Sequence, residues 1–149
     1  MAKYNLTPRD VEPVHSRHRR IQTKLPVPES LPVFEALEQS EPRSMMGQPP
    51  VVWDRAEGIN VYDAWGNMWL DWSSGVLIAN AGHGHPEIAA AVREPVDNPL
   101  LATYVFVHPA RAELTQRLSA LAPKKADYRT FLLSTGSETT ENAIKLART

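Results

Sequence analysis

A turn of small and hydroxylated residues, Ser134-Thr135-Gly136-Ser137, has the composition of an anion-binding site. It follows an apolar run at 131–133 that is typical of a short buried strand, and it precedes a predicted helix. The first N–H groups of a helix have no intrahelical acceptor and lie at the positive end of the helix dipole. The amides of Gly136 and Ser137, together with the hydroxyls of Thr135 and Ser137, would therefore suit a phosphate group.

The same turn also has a simpler interpretation. Thr135 followed three residues later by Glu138 is the capping-box pattern, in which each side chain accepts a hydrogen bond from a free backbone N–H. Gly136 lets the backbone come close to whatever lies above the turn. Capping boxes are common, so an ordinary capped helix without a ligand is the alternative.

Two histidines separated by a glycine, His83 and His85, are the other residues with ligand chemistry. Alternate residues of an extended segment can point the same way. Two imidazoles could then bind zinc with a third ligand such as His108 or Asp71. No histidine or carboxylate has the spacing that completes a familiar site. We therefore predict no metal, and a turn whose histidines bond to nearby backbone groups.

Three blocks in the second half of the chain together resemble the class III aminotransferases, which are pyridoxal-5′-phosphate (PLP) enzymes of fold-type I. The blocks are GNMWLD at 66–71 with SSGV at 73–76, NAGHGHP at 80–86, and STGSE at 134–138 with NAIKLAR at 142–148. Each block alone is weak evidence, but the ordered set is specific. The resemblance covers residues 61–148.

The resemblance implies two sets of site residues. In the family, the turn before the helix of the third block holds the cofactor phosphate, and the matching residues are Thr135, Gly136 and Ser137. The passage after the first block lies near the active-site mouth in the family, and an aromatic residue further on lines the substrate pocket. The matching substrate residues are Ser74, Gly75, Val76 and Tyr104, although packing in the core is an equal alternative for Tyr104.

Catalytic residues are not expected in this chain. Aminotransferase chemistry needs a Schiff-base lysine, an acid on the pyridinium nitrogen and an aromatic group on the ring. The family supplies all three from sequence beyond the phosphate-binding helix. The lysines here are Lys3, Lys24, Lys124, Lys125 and Lys145. None has the family's context, and Lys145 suits a helical pair with Glu141.

We therefore expect the N-terminal fragment of an enzyme that transfers an amino group from an amine or ω-amino acid to a keto acid. The resemblance implies a homodimer for the complete enzyme, and we expect the fragment alone to be inactive. The alternative is a non-catalytic remnant that docks on a full-length homologue. Another kind of phosphate-binding module is disfavoured, because neither G-x-G-x-x-G nor the P-loop pattern occurs.

The composition of the chain excludes several classes of partner and site. The 149 residues carry a formal net charge of -1 and no cysteine, which argues against a nucleic-acid surface and excludes disulfides and thiolate metal sites. The basic cluster at 15–20 is too short, without interleaved aromatics, to indicate RNA binding. No apolar run approaches the roughly 20 residues that span a bilayer, and no secretory signal is visible. A cytoplasmic location without membrane contact is expected.

The elements that position these residues suggest an α/β protein in three parts. Residues 1–49 are predicted to form an N-terminal arm, mobile or draped as far as Pro28, with a short helix over 28–40 and Ser30 as its N-cap. Residues 50–82 are predicted to form a small β-meander and a small-residue loop. Residues 83–149 should be the first part of a truncated fold-type I large domain.

Within these parts, the pattern predicts strands at 51–53, 59–63 and 68–72, with a tight turn at Gly66-Asn67. The tryptophans are expected to pack rather than to bind ligands. A helix is predicted from Pro86 and should end or kink near Arg93, because Pro95 lacks an N–H. A second, amphipathic helix is predicted over 109–121.

Overall fold

The computed structural model describes residues 4–45, 47–97, 100, 103, 105–123 and 127–149. The chain divides into two compact units, Met1–Asp97 and Asn98–Thr149. Tyr104, one of the predicted substrate residues, lies outside the described residues. The three-part division at residues 49 and 82 stays a prediction.

The first unit contains a five-stranded antiparallel sheet with the order β1-β2-β5-β4-β3. Its strands are β1 (Val14–His15), β2 (Arg20–Ile21), β3 (Arg55–Glu57), β4 (Asn60–Tyr62) and β5 (Met68–Leu70). Strands β4 and β5 confirm the two strands predicted at 59–63 and 68–72, and β3 completes the meander at residues that were not predicted to form a strand. The core of this unit is small, and its buried apolar side chains are Ile21, Val27, Val61 and Met68.

The strand predicted at 51–53 is wrong, since β3 begins only at Arg55. Arg55 pairs with Tyr62, so in the same register Trp53 would lie opposite Ala64. Ala64 already belongs to the turn that joins β4 to β5. Residues 51–53 therefore extend past the end of their partner strand.

The N-terminal arm is built into the sheet, whereas the sequence favoured a mobile or draped segment. Strands β1 and β2 form a hairpin, and Arg20 of β2 pairs with Met68 of β5. A further bridge joins Arg9 to Leu25. Pairing between residues so distant in sequence leaves no local pattern, which is why the arm reads as an unstructured segment.

The turn between β4 and β5 fastens this arm through Asn67, which is fully buried at 0% exposure. Its Oδ1 accepts from the N–H of Gln22 at 2.8 Å, and its Nδ2 donates to Thr23 Oγ1 at 2.8 Å and to Asp63 Oδ2 at 2.7 Å. Gly66 has a φ of +89°. The predicted Gly66-Asn67 turn is thus confirmed, and Asn67 also binds a second segment.

Besides two short 3-10 helices, Pro28–Ser30 and Arg43–Met45, the described residues form four right-handed α-helices. They are α1 (Leu31–Ser40), α2 (Pro86–Val96), α3 (Pro109–Ala120) and α4 (Gly136–Leu146). Ser30 does precede α1, but its hydroxyl donates to the carbonyl of Val27 at 2.6 Å and caps nothing. No helix in the described ranges is long and apolar enough to cross a membrane.

The expected end of α2 near Arg93 is wrong, because the helix continues through Pro95 to Val96. A proline in the last turn removes a single helical hydrogen bond, and the Asp97 N–H still donates to the carbonyl of Arg93 at 3.2 Å. The helix therefore tolerates Pro95 near its end.

The buried strand predicted at 131–133 is also absent from the described structure of the second unit. The Phe131 residue is 65% exposed. A parallel strand depends on neighbours on both sides, and every strand of the described sheet lies between residues 14 and 70. The α/β class is confirmed as a mixture of helices with an antiparallel sheet, but the described residues contain no part of the parallel sheet expected for a large domain.

Candidate functional site

The start of α4 has the predicted capping box. Thr135, in an extended conformation, accepts the Glu138 N–H on Oγ1 at 3.2 Å. Glu138 Oε2 accepts the N–H groups of Thr135 and Ser134, each at 3.1 Å. Reciprocal bonds of this kind fix the direction in which the chain enters the helix.

The cap leaves two backbone donors available. The N–H groups of Gly136 and Ser137 donate to no acceptor among the described residues. They point along the helix axis at its positive end, where an anion is stabilised. The Glu138 carboxylate lies beside them but is occupied by the amides of residues 134 and 135. The geometry therefore provides two free amides, with the Ser137 hydroxyl next to them.

Gly136 is not required by the fold of the chain itself. Its φ lies outside the left-handed region, and a Cβ added to it would have no described heavy atom within 4 Å. A side chain at this position would instead fill the space in front of the two amides. Open space beside two free donors is what a phosphate group requires, and the assignment of the cofactor phosphate to Thr135, Gly136 and Ser137 stays a prediction.

A second cluster lies in the first unit, where Asp71 follows strand β5. Its Oδ1 accepts the N–H of Ser73 at 3.0 Å and the Ser73 hydroxyl at 2.7 Å. Its Oδ2 accepts the N–H of Gly75 at 2.8 Å and His83 Nε2 at 2.7 Å. The Asp71 side chain is only 4% exposed. Each carboxylate oxygen thus has two donors.

Sequence reasoning missed the Asp71–His83 pair. From the sequence, the only role considered for the Asp71 side chain was that of a third zinc ligand. The two residues are 12 positions apart. The bond between Asp71 and the Ser73 N–H does have a local signal, because an aspartate that accepts a hydrogen bond from the N–H two residues later is common in turns. Nothing local indicates His83, which is held beside Asp71 by the bridge between its own backbone and Gly58.

The predicted substrate residues Ser74, Gly75 and Val76 lie in a left-handed turn, Ser74–Leu77. The φ angles of Ser74, Gly75, Val76 and Leu77 are 50°, 60°, 63° and 66°. Only glycine adopts this region freely, and each other residue costs roughly 1–3 kcal/mol. The turn closes through the Leu77 N–H, which donates to the Ser73 carbonyl at 2.7 Å.

This turn carries apolar side chains into solvent. Val76, Leu77 and Ile78 are 78%, 79% and 82% exposed. The strained backbone is therefore not offset by packing of its own side chains within the described residues. Strain of this kind is typical of functional segments.

The electrostatics of the cluster keep Asp71 charged. Burial raises the pKa of the Asp71 carboxyl, but the hydrogen bonds from His83, Ser73 and Gly75 outweigh burial and lower the pKa to about 2 from its ordinary value of 3.8. The folded state therefore favours the ionised carboxylate, as its bonds to four donors require.

We expect Asp71→Asn to lower the free energy of unfolding at pH 7 by roughly 1–2 kcal/mol, with allowance for screening by solvent. Because the folded-state pKa is depressed, this stabilisation is present above pH 3.8 and is lost as the pH falls towards about 2. Urea unfolding at pH 7 and near pH 2 measures the change, with the exposed Asp10→Asn as control. A difference between Asp71→Asn and wild type that is equal at both pH values would contradict the assignment.

The histidines do not form a metal site in the described structure. Nε2 of His83 is engaged by Asp71, and the described residues contain no group of three histidine, cysteine, aspartate or glutamate side chains that could hold a metal ion. The expected bonding of both histidines to backbone groups is wrong for their rings: His83 bonds to a carboxylate, and His85 Nδ1 is buried without a partner among the described residues. His108 serves another purpose, because its Nδ1 accepts the Ala110 N–H at the start of α3.

The predicted site residues that the structure describes lie in two different units. Thr135, Gly136 and Ser137 lie together at the start of α4 in the second unit, and residues 74–76 lie together in the left-handed turn of the first.

Comparisons with known proteins agree with the motifs. Residues 43–149 match the family profile described as aminotransferase class-III. The chain is 34% identical over 108 residues to the 5-aminovalerate aminotransferase DavT of Pseudomonas putida, which covers 72% of this chain and 25% of that protein. It is 34% identical over 117 residues to the 4-aminobutyrate aminotransferase GabT of Escherichia coli, covering 78% of this chain and 28% of that protein.

Solved structures give the same result. The acetylornithine aminotransferase of Elizabethkingia anophelis matches with a TM-score of 0.70 and 30% identity, over 80% of this chain and 30% of that one. The taurine:2-oxoglutarate aminotransferase of Bifidobacterium kashiwanohense, solved with PLP and glutamate, matches with a TM-score of 0.68 and 29% identity, over 80% of this chain and 27% of that one. The chain thus spans between a quarter and a third of the length of these relatives. It belongs to the class III aminotransferases, a PLP-dependent family whose N-terminal region it matches.

Proposed function

We propose that this chain supplies the N-terminal part of a PLP-dependent aminotransferase that moves an amino group from an amine or ω-amino acid to a keto acid. The start of α4 carries the proposal, because it combines two free amides with a glycine that the fold does not need. Relatives described as 5-aminovalerate, 4-aminobutyrate and acetylornithine aminotransferases support the class of donor.

The residues of this chain would hold the cofactor by its phosphate. The amides of Gly136 and Ser137 would donate to phosphate oxygens, and the hydroxyls of Thr135 and Ser137 would supply further donors. PLP, when bound, supplies the electron sink that amino-group transfer requires. The chain's own contribution is binding and orientation, since a hydrogen bond to a charged group contributes about 1.5–3 kcal/mol.

The remaining parts of the proposal concern substrate and assembly. Ser74, Gly75 and Val76 contact the substrate, and so does Tyr104. The complete enzyme is a homodimer. The 149-residue chain alone does not transaminate, because no lysine in it has the sequence context of the family's cofactor-linking lysine.

A titration of the 149-residue chain tests the proposal. Two hydrogen bonds from backbone amides to a charged phosphate correspond to a dissociation constant of about 1 mM. Addition of inorganic phosphate, and separately of PLP, should shift the NMR amide signals of Gly136 and Ser137 with saturation. Incubation with PLP, 4-aminobutyrate and 2-oxoglutarate should yield no glutamate. Shifts confined to lysine residues, or measurable turnover, would contradict the proposed division of roles.

A second candidate is a non-catalytic fragment that docks on a full-length homologue. It is favoured by the exposed apolar side chains of both units, including Trp72 and Phe131, because uncovered apolar surface often marks an interaction site. Sedimentation of the purified chain with a purified full-length class III aminotransferase distinguishes the two. A stable mixed complex that binds no more PLP than the full-length enzyme alone would favour the docking function.

A further inference from the structure

A rigid frame surrounds the left-handed turn Ser74–Leu77. The Asp71 N–H donates to the carbonyl of Ile59 at 2.9 Å, so the backbone of Asp71 is fixed to the start of β4. His83 is fixed to the turn between β3 and β4 by two backbone bonds with Gly58, each 2.8 Å long. Both members of the buried pair are therefore attached to the sheet.

The pair reaches the turn through one carboxylate. Asp71 accepts the N–H groups of Ser73 and Gly75, which stand at the entry and in the middle of the left-handed segment. Its fourth donor is His83 Nε2, and the Trp53 ring lies nearly perpendicular to the imidazole, with 5.9 Å between the ring centroids. These contacts orient the carboxylate towards the turn.

Little else in the described structure supports the unusual backbone. The side chains of residues 76–78 project into solvent, so they do not hold the turn by packing. A segment that strains its backbone and exposes apolar groups must be over-determined by its surroundings. Apart from the bonds that the turn and residues 73, 78 and 79 form among themselves, the described residues support it through Asp71 and through Asn80, whose Nδ2 donates to the Leu77 carbonyl at 3.1 Å at the end of the turn.

We propose, on the basis of the function proposed above, that Asp71 is a positioning residue. Bonded to His83, Asp71 holds Ser74–Leu77 in the left-handed conformation. In this conformation Val76 contacts the methylene chain of the ω-amino acid donor. The turn presents apolar groups, which match the middle of such a substrate rather than its charged ends. Asp71 itself does not touch the substrate.

Relief of backbone strain tests the first part of the proposal, which is that Asp71 holds the turn left-handed. In the 149-residue chain, Asp71→Asn removes one acceptor oxygen and places an NH₂ group against existing donors. One-bond Cα–Hα couplings of Ser74, Val76 and Leu77 should then lose their positive-φ values, and chymotryptic cleavage after Leu77 should accelerate at least about tenfold. Adding Leu77→Gly should restore the positive φ of Ser74 and Val76, read from their couplings, because glycine accepts positive φ at little cost.

The exposed Asp10→Asn, whose side chain is 86% exposed, is the matched control and should behave as wild type. Positive φ retained in Asp71→Asn, or no rescue by Leu77→Gly, would overturn the positioning role. Neither result depends on transamination, so the proposed function would be unaffected.

The substrate half is tested in the complete aminotransferase proposed above. Asp71→Asn should raise KM for the ω-amino donor about tenfold, with a smaller change in kcat, and adding Leu77→Gly should restore KM. The amide shifts of Gly136 on PLP addition should not change. An unchanged KM with an opened turn would remove the substrate contact from the proposal, whereas a wild-type enzyme that does not transaminate would overturn the proposed function instead.

Discussion

Replacing Asn67 with alanine is expected to lower the free energy of unfolding of the first unit by about 3–5 kcal/mol. The substitution removes three side-chain hydrogen bonds at a residue with 0% exposure. It leaves the Gln22 N–H without its acceptor, and Asp63, itself buried, without one of its donors. Each buried group left without a partner costs about 1–3 kcal/mol.

The effect should be large because Asn67 joins two segments that are distant in sequence. Its Nδ2 and Oδ1 bind residues 22–23 of the arm, and its own N–H donates to Asp63 Oδ1 at 2.8 Å within the turn. Loss of the side chain therefore weakens both the turn and the pairing of β2 with β5. With a total stability of about 5–15 kcal/mol for an ordinary domain, a change of this size approaches complete unfolding.

Urea unfolding followed by tryptophan fluorescence measures the change, since Trp65 and Trp69 flank the turn. Asn5→Ala is the matched control, because Asn5 is an exposed asparagine of the same arm with one local bond to the Thr7 N–H. The control should change stability by less than about 1 kcal/mol. Equal effects of the two substitutions would mean that Asn67 does not fasten the arm.

Gly136→Val is expected to reduce the affinity of the chain for phosphate and for PLP at least about tenfold, which corresponds to 1.4 kcal/mol. The branched side chain would occupy the space in front of the amides of residues 136 and 137. Because the backbone of Gly136 is not left-handed and an added Cβ meets nothing within 4 Å, the fold should be unaffected. Loss of binding without loss of stability separates a ligand site from a structural glycine.

Ala110→Val, at an exposed position near the start of α3, is the matched control for a valine at a helix N-terminus. It should leave the phosphate titration unchanged. Gly136→Ala should weaken binding to an intermediate degree, since its methyl group is smaller. Full retention of phosphate affinity in Gly136→Val would move the site away from the start of α4.

Features that depend on near neighbours could be predicted from the sequence. The capping box of Thr135 and Glu138 and the turn at Gly66-Asn67 involve residues within four positions of each other, so their residue types are sufficient. The helices starting at Pro86 and Pro109 were found for the same reason. The family followed from ordered motifs, and the candidate phosphate site followed from the family.

Features that depend on distant partners could not be predicted. Arg20 pairs with Met68, and Asp71 bonds to His83, across gaps that carry no local signal. The strand predicted at 131–133 is wrong for a related reason. Its local pattern is that of a strand, but a strand forms only where a neighbouring strand can bond to it. The left-handed turn was unpredictable because serine, valine and leucine normally avoid positive φ.

The placement of the sheet within the chain has a consequence for synthesis. All five strands lie between residues 14 and 70, so every backbone bond of the sheet becomes available before α3 and α4 are translated. Domains generally fold in the order in which the ribosome releases them. The first unit can therefore fold, with the arm in place, before the candidate phosphate-binding residues 135–137 leave the ribosome.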